Sequence, residues 1–177
     1  MRKLLFESLI RPPLTEPRPD PDLSMIADIA GRLGGVARQK LGRSLSIREI
    51  DAGSCNGCEL EIHALGNAFY DIERFGLRFV ASPRHADVLL VTGPVTKNMR
   101  EALERTYNAT PAPKWVVAAG DCAADGGCFA GSYAVLGGVS AVVPVDLHIP
   151  GCPPSPVMLL KGLIALMEQS NRKVPSR

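Results

Sequence analysis

The chain has 177 residues, 46% of them hydrophobic and 21% charged, with a net charge of +2. That is enough for one domain with a real core, while two full domains would be crowded. So small a charge does not argue for nucleic acid, no Lys/Arg run suggests a phosphate-tracking surface, and no nucleic acid is expected as a partner.

No stretch approaches the ~18 consecutive apolar residues of a membrane span. No small-residue cleavage site follows the opening Met1–Phe6 segment, so a cytoplasmic location is expected. Thiols stay reduced there, and five cysteines read as metal ligands or reactive thiols before disulfides.

Residues 1–45 stand apart as an N-terminal arm, and 46–177 form the main domain. Residues 11–21 (RPPLTEPRPDP) hold five prolines, which exclude a helix or a central strand. After them Leu23, Ile26, Ala30, Leu33, Ala37 and Leu41 recur at helical spacing, with Arg32, Arg38, Lys40 and Arg43 mostly off that line. This is the pattern of an amphipathic helix. Gly31, Gly34 and Gly35 weaken that helix as an independent unit. It reads either as an ordinary surface helix or as an arm that packs on a partner or near a membrane face.

From residue 46 strand and helix signals alternate. Strands are expected over Ser46–Ile50, Leu77–Ala81, Ala86–Thr92, Lys114–Ala119 and Ala141–Val145. Helices are expected over Glu59–Phe75, Thr96–Tyr107, a short piece at Tyr133–Leu136, and Ser155–Gln169, where Pro154 and Pro156 stand at a start that tolerates proline. The alternation predicts an α/β fold, a parallel sheet with helices on both faces.

Each cysteine group follows an expected strand. Cys55 and Cys58 come after the first, Cys122 after Lys114–Ala119, and Cys152 after the last strand and a short loop. Loops at the carboxyl ends of parallel strands gather along one edge, where ligands bind. Three loops distant in sequence can thus bring four thiolates to one point, as a cubane cluster needs for its four irons. Gly53, Gly57, Gly120, Gly126 and Gly127 permit tight turns, and backbone N–H groups in such loops can point at a cluster's sulfurs. Cys152 lies in Pro-Gly-Cys-Pro-Pro, and a ligand followed by proline is an iron–sulfur habit.

A lone C-x-x-C also fits zinc, thioredoxin-like exchange or chance. Exchange leaves Cys122 and Cys152 unexplained. Four-cysteine zinc usually takes two compact knuckles, whereas 29 residues separate Cys122 from Cys152. Spacing alone therefore favours iron–sulfur, with zinc and no metal still open.

The segments GSCNGCELEIHAL, ASPRHADVLLVTGPVTKNM, GDCAADGGCFAGSYAV and VVPVDLHIPGCPPSP occur in that order. They resemble the family shared by the small subunit of [NiFe]-hydrogenases and the 20 kDa (B-type) subunit of respiratory complex I. The resemblance runs from about residue 46 to 168. It implies a flavodoxin-like iron–sulfur domain over 46–177 and one [4Fe–4S] cluster on Cys55, Cys58, Cys122 and Cys152, at the carboxyl edge of the strands. It also implies electron exchange with a site shared with a large subunit.

The complex I branch carries its first two ligands as adjacent cysteines; the Asn-Gly between Cys55 and Cys58 is similar to the hydrogenase arrangement. The length, with no further ferredoxin-type cysteines, resembles the membrane-associated hydrogenases of the formate hydrogenlyase type. The implied partners are a large subunit with the nickel–iron site, a polyferredoxin-like subunit and integral membrane subunits, on the cytoplasmic face of the inner membrane. A complex I-like quinone assembly and a non-catalytic zinc scaffold are the alternatives. Cys128 departs from the family pattern, which has an apolar residue there. It is expected as a buried small hydrophobe, with an alternative-ligand or reactive-thiol role left open.

On an Glu59–Phe75 helix, Leu60, Ala64, Leu65, Ala68, Phe69, Ile72 and Phe75 share one broad face with Glu61 in its middle. A carboxylate there is costly unless paired. Glu61 is thus either a salt-bridged residue near the helix start or a carboxylate close to the cluster, serving a proton route or a partner contact. His63 and His148 lack a metal-spaced partner. Arg84 and His85 read as support for the sheet edge or a partner interface, and Asp121 and Asp125 as turn residues.

Overall fold

The computed structural model describes residues 23–169, so the proline-rich segment and residues 170–177 lie outside the described residues. In chain order the first elements are α1 (Leu23–Leu41), β1 (Leu45–Asp51), α2 (Gly57–Ala64), β2 (Leu77–Phe79), β3 (Val88–Thr92) and β4 (Val95–Thr96). They are followed by α3 (Arg100–Ala109), β5 (Trp115–Ala119), α4 (Asp121–Asp125), β6 (Val135–Gly137), β7 (Leu147–Ile149) and α5 (Pro156–Gln169).

Five strands form one sheet in the order β2-β1-β3-β5-β7, and every pairing in it is parallel. This is the doubly wound, flavodoxin-like order, with its switch point between β1 and β3. β3 and β5 are buried at all five positions, as strands covered on both faces must be. Ile47, Val88, Leu90, Trp115 and Val117 face one core, with residues from α1, α2 and α5. Ile50, Leu89, Val91, Val116 and Ala118 face the other, with Leu103 of α3 and Ala123 of α4.

The register aligns the ends of four strands. Asp51 pairs with Thr92, Thr92 with Ala119, and Ala119 with Ile149. One row of the sheet therefore launches the loops that carry the four cysteines.

Helix α1 packs on this same chain. Its residues Ala30, Leu33 and Ala37 are fully buried, sharing one face by their spacing. They join the same core cluster as Leu159, Leu163 and Met167 of α5. Lys40 donates from its Nζ to the Met167 and Glu168 carbonyls at the end of α5, where a cation is favoured.

Three expected elements differ. The Glu59–Phe75 helix stops at Ala64 because Asn67 Oδ1 accepts from the N–H groups of Phe69 and Tyr70, diverting the backbone into a turn. The chain resumes as a 3-10 turn at Ile72–Phe75. The Tyr133–Leu136 helix is instead the strand β6, antiparallel to β4, with the Lys97 N–H donating to the Ala134 carbonyl. The Ala141–Val145 strand is instead a 3-10 turn at Val139–Ala141 and β7 further on. Pro144 has no N–H to pair, and the Asp146 carboxylate takes the Val116 N–H at 2.8 Å, so pairing starts at Leu147.

Gly34 marks the closest approach of α1 to the turn before β2. A Cβ built there would lie 1.9 Å from the Phe75 carbonyl oxygen, whereas one on Gly35 meets nothing within 4 Å. Gly34→Ala should therefore destabilise by about 1–3 kcal/mol through overpacking. Gly35→Ala should stabilise by up to about 1 kcal/mol through helix propensity. Urea unfolding midpoints of the two variants check the contrast.

Candidate functional site

Three loops leave the aligned row of strand ends. After β1, Asp51 Oδ1 accepts from the N–H groups of Gly53 and Ser54, both at 2.7 Å. Ser54 Oγ accepts from the Asn56 N–H at 3.1 Å, and Asn56 takes a left-handed φ of 70° before α2 begins. These bonds fold Cys55 and Cys58 back over the sheet edge. After β5, Cys122 sits in the first turn of α4, and Asp125 Oδ1 accepts from the Gly127 N–H at 2.8 Å.

The loop after β7 is tied to the one after β5. Gly120 N–H donates to the Ile149 carbonyl at 2.8 Å, and Asp121 N–H to the Gly151 carbonyl at 2.9 Å. Gly151 N–H returns a bond to Asp121 Oδ1 at 2.8 Å. His148 Nε2 donates to the Gly120 carbonyl at 3.2 Å, which fixes its proton on that nitrogen because a carbonyl only accepts. Asp121, Asp125 and His148 thus hold the loops in place, and the Cys152–Pro153 peptide between them is cis.

The sulfurs gather around Cys58. Its thiol is pushed up to about 12, by burial first, then by Glu59, Cys122, Cys55 and Cys152. Cys122 is also pushed up, by burial first and then by its neighbour Cys128 and by Cys152. A thiol that holds its proton this firmly is a poor exchange nucleophile, the reverse of the lowered pKa of redox C-x-x-C pairs. Crowded thiols that repel one another's anions are suited to a metal, whose charge displaces their protons.

Glycines clear the space beside the sulfurs. Gly120 has φ +89°, and a Cβ there would stand 2.8 Å from Cys58 Sγ; a Cβ on Gly127 would stand 2.8 Å from Cys122 Sγ. The donor set, with four thiols and backbone able to approach them, fits an iron–sulfur group. The side chains do not form a closed ligand shell: among the described residues no three His, Cys, Asp or Glu groups are arranged as metal ligands.

Two burial expectations are corrected. Cys128 is exposed, because it lies on the 3-10 turn Gly127–Phe129 at the outer lip of the site. Leu60 is 61% exposed and Glu61 half-buried, while Glu59 is only 6% exposed. The short α2 starts at Gly57 and turns Glu59 inward. Both Glu59 carboxylate oxygens are buried without a hydrogen-bond partner. Glu59 is the residue that sequence reasoning missed; the available signal was its place in the first helical turn immediately after Cys58, where an anion is favoured. His63 lies away from the sulfurs, lining a groove with Glu49 and Phe79.

A profile of the family described as NADH ubiquinone oxidoreductase, 20 Kd subunit, matches residues 55–166. The chain belongs to that family. The match opens on Cys55 and ends within α5, so this 20 Kd subunit family spans all four converging cysteines.

Formate hydrogenlyase subunit 7 of Escherichia coli (strain K12) is 44% identical over 139 residues, covering 78% of this chain and 54% of that relative. The chain thus spans about half the length of that relative. The probable membrane-bound hydrogenase subunit mbhJ of Pyrococcus furiosus is 45% identical over 129 residues, covering 73% and 77%. A chain in the structure of the membrane-bound sulfane sulfur reductase, an archaeal respiratory membrane complex, superposes with a TM-score of 0.64 at 38% identity. It covers 77% of this chain and 74% of its own length. These likenesses bear out the resemblance drawn from the four motifs.

Gly120→Ala should lower iron and sulfide retention after anaerobic reconstitution, because the methyl displaces Cys58 Sγ and strains a left-handed backbone; iron-to-protein ratios against the parent check it. A second expectation concerns Glu49. Burial first raises its carboxyl above the ordinary 4.5; His63 opposes that rise, while Glu59 and Asp51 add to it. The folded state then binds more protons than the unfolded one between 4.5 and the raised value. Stability falls as pH rises through that window. Glu49→Gln should therefore be more stable than the parent at neutral pH, the difference vanishing below about pH 4.5, as read from urea midpoints across pH.

Proposed function

We propose that this chain is the iron–sulfur electron-transfer subunit of a multisubunit [NiFe]-hydrogenase of the formate hydrogenlyase type. Cys55, Cys58, Cys122 and Cys152 would hold one [4Fe–4S] cluster. The observation that carries the reading is the single row of strand ends from which the loops bearing Cys55, Cys58, Cys122 and Cys152 all depart. A cluster bound there supplies one-electron transfer at a potential set by burial and by hydrogen bonds to sulfur.

The chain's own residues do the rest. The glycine loops let backbone approach the sulfurs, and buried Glu59 places a negative charge beside Cys58. Around the edge stand exposed apolar side chains: Leu60 after Cys58, Phe129 and the 89% exposed Tyr133 after Cys122, and Met158 after Cys152. Exposed apolar rims of this kind mark protein contacts, which supports a large partner subunit seated over the site. The partner would carry the nickel–iron centre, with a polyferredoxin-like subunit relaying electrons. Among the described residues no helix is long and apolar enough to cross a membrane. Attachment to the cytoplasmic face would then come through integral membrane subunits, in keeping with the membrane-bound complexes of the relatives.

The family name favours one alternative, a quinone-reducing complex I-like assembly. Against it stands the Asn-Gly spacer between Cys55 and Cys58. The sequence of the co-purifying large subunit separates the two: two C-x-x-C pairs there mean nickel–iron, and their absence sinks the hydrogenase reading. Anaerobically prepared protein should carry about four irons and four sulfides per chain and show an S = 1/2 signal on reduction. Zinc in their place overturns the cluster. Glu61 is the proposed proton-route or partner-contact residue. Glu61→Gln should keep the iron content and lower turnover of the complex; unchanged turnover removes that role.

A further inference from the structure

At the opposite end of the sheet from the cysteines, a cavity of about 250 Å³ is lined by Arg43, Arg78, Arg84, His85, Ala86 and Pro111. Arg43 precedes β1, Arg78 lies on β2, and Arg84 and His85 form the 3-10 turn before β3. All three positions belong to the amino-terminal half of the sheet. β1 runs seven residues at ~3.3 Å each, so this end is on the order of 20 Å from the cysteine loops.

The arginines differ in how they are held. Arg43 is clamped by the buried Asp87, Nη1 to Oδ2 at 2.8 Å and Nη2 to Oδ1 at 2.5 Å. Asp87 Oδ2 also accepts the Ser46 N–H at 3.0 Å, so that carboxylate is committed to structure. Among the described residues Arg78 bonds through its Nε alone, to Ser46 Oγ at 3.1 Å, with both terminal nitrogens of its fork left for another acceptor. Arg84 and His85 are exposed, and among the described residues no carboxylate lines the cavity. After Asp87 neutralises Arg43, two positive charges remain, with His85 as a further donor.

We propose that this cavity is a binding site for a phosphate group. Guanidinium forks arrive from β2 and from the 3-10 turn, that is, from different directions. A tetrahedral oxyanion turns acceptor oxygens toward such donors in several directions at once, whereas a carboxylate presents its lone pairs in a single plane. Apolar Ala86 and Pro111 wall one side, where water competes less with these bonds. Two sources share this chemistry: the free phosphate ion and the headgroup of an anionic phospholipid. The site stands independently of what the cysteines hold.

The test uses the full chain in low-salt, phosphate-free buffer. Inorganic phosphate is titrated by calorimetry, and flotation is measured with phosphatidylcholine vesicles with and without phosphatidylglycerol. Arg84→Gln removes a fork that holds nothing else in place, so it should weaken binding by about tenfold or more. Arg84→Lys should recover it only in part, since a point charge replaces the fork. His85→Gln, at another exposed position, gives the same reading at smaller size and stands in if Arg84→Gln misfolds. Phosphate binding without flotation assigns the free ion; flotation only with phosphatidylglycerol assigns the lipid headgroup; both sustain the site. Binding of neither, or binding untouched in both variants, overturns it. A glutamate-rich peptide that binds more tightly than phosphate and is lost in Arg84→Gln also overturns it, in favour of an acidic protein partner.

Discussion

Four thiols have to meet at one place although they come from loops up to 97 residues apart, and the parallel register of the sheet is what allows this. Asp51, Thr92, Ala119 and Ile149 lie in one cross-sheet row. Each cysteine loop departs within a few residues of that row. A slip of one register step would displace a loop along the strand axis by about 3.3 Å and turn its strand's buried face outward. The register is pinned because β3 and β5 are buried on both faces. The two cores, in other words, hold the geometry of the site.

Convergence has an electrostatic cost that the site retains. Cys58 is pushed up to about 12 by burial and by the acidic and thiol groups around it, and Glu59 is buried beside it without a partner. Free of metal, Cys58 and Cys122 hold their protons more firmly than an ordinary thiol. Ligation by a cationic group would release them and turn mutual repulsion into attraction. The bonds that hold the loops against this crowding run between backbone groups and aspartates: Asp51 for the first loop, Asp121 between the second and third. None of these carboxylates is among the proposed ligands. The division of labour would leave sulfur for the proposed cluster and oxygen for the scaffold.

The two ends of the sheet differ in chemistry. The carboxyl end carries thiols, glycines and an apolar rim; the amino end carries arginines, one of them clamped by a buried aspartate. Helix α1 closes one core together with α5, so residues 23–41 contribute to the same packed unit. The likeness to hydrogenase subunits and to a chain of a sulfane sulfur reductase shows this scaffold in complexes of different names.

Much of this was legible in the sequence by itself. The alternation of buried strands and helices determined the parallel α/β class, the stripe Ile26, Ala30, Leu33 and Ala37 determined a helix with one buried face, and the order of four sequence motifs, three of them bearing cysteines, determined the family. Those signals are local or periodic, so they survive in one dimension. The tertiary structure alone decided the rest. Asn67 ended α2 early by taking two backbone donors, and the start of that helix at Gly57 turned Glu59 inward, put Leu60 outside and left Glu61 half-buried. Pro144 and Asp146 moved the last strand to Leu147–Ile149, where Asp146 meets a neighbouring strand. Gly34 looked like a weakness of its helix and proved to be the point where the helix touches the Phe75 carbonyl. Arg43, Arg78 and Arg84 are scattered in the chain, and only the sheet's amino-terminal edge makes them one site. In each case the deciding contact joins residues whose separation carries no period, so only the folded chain could bring them together.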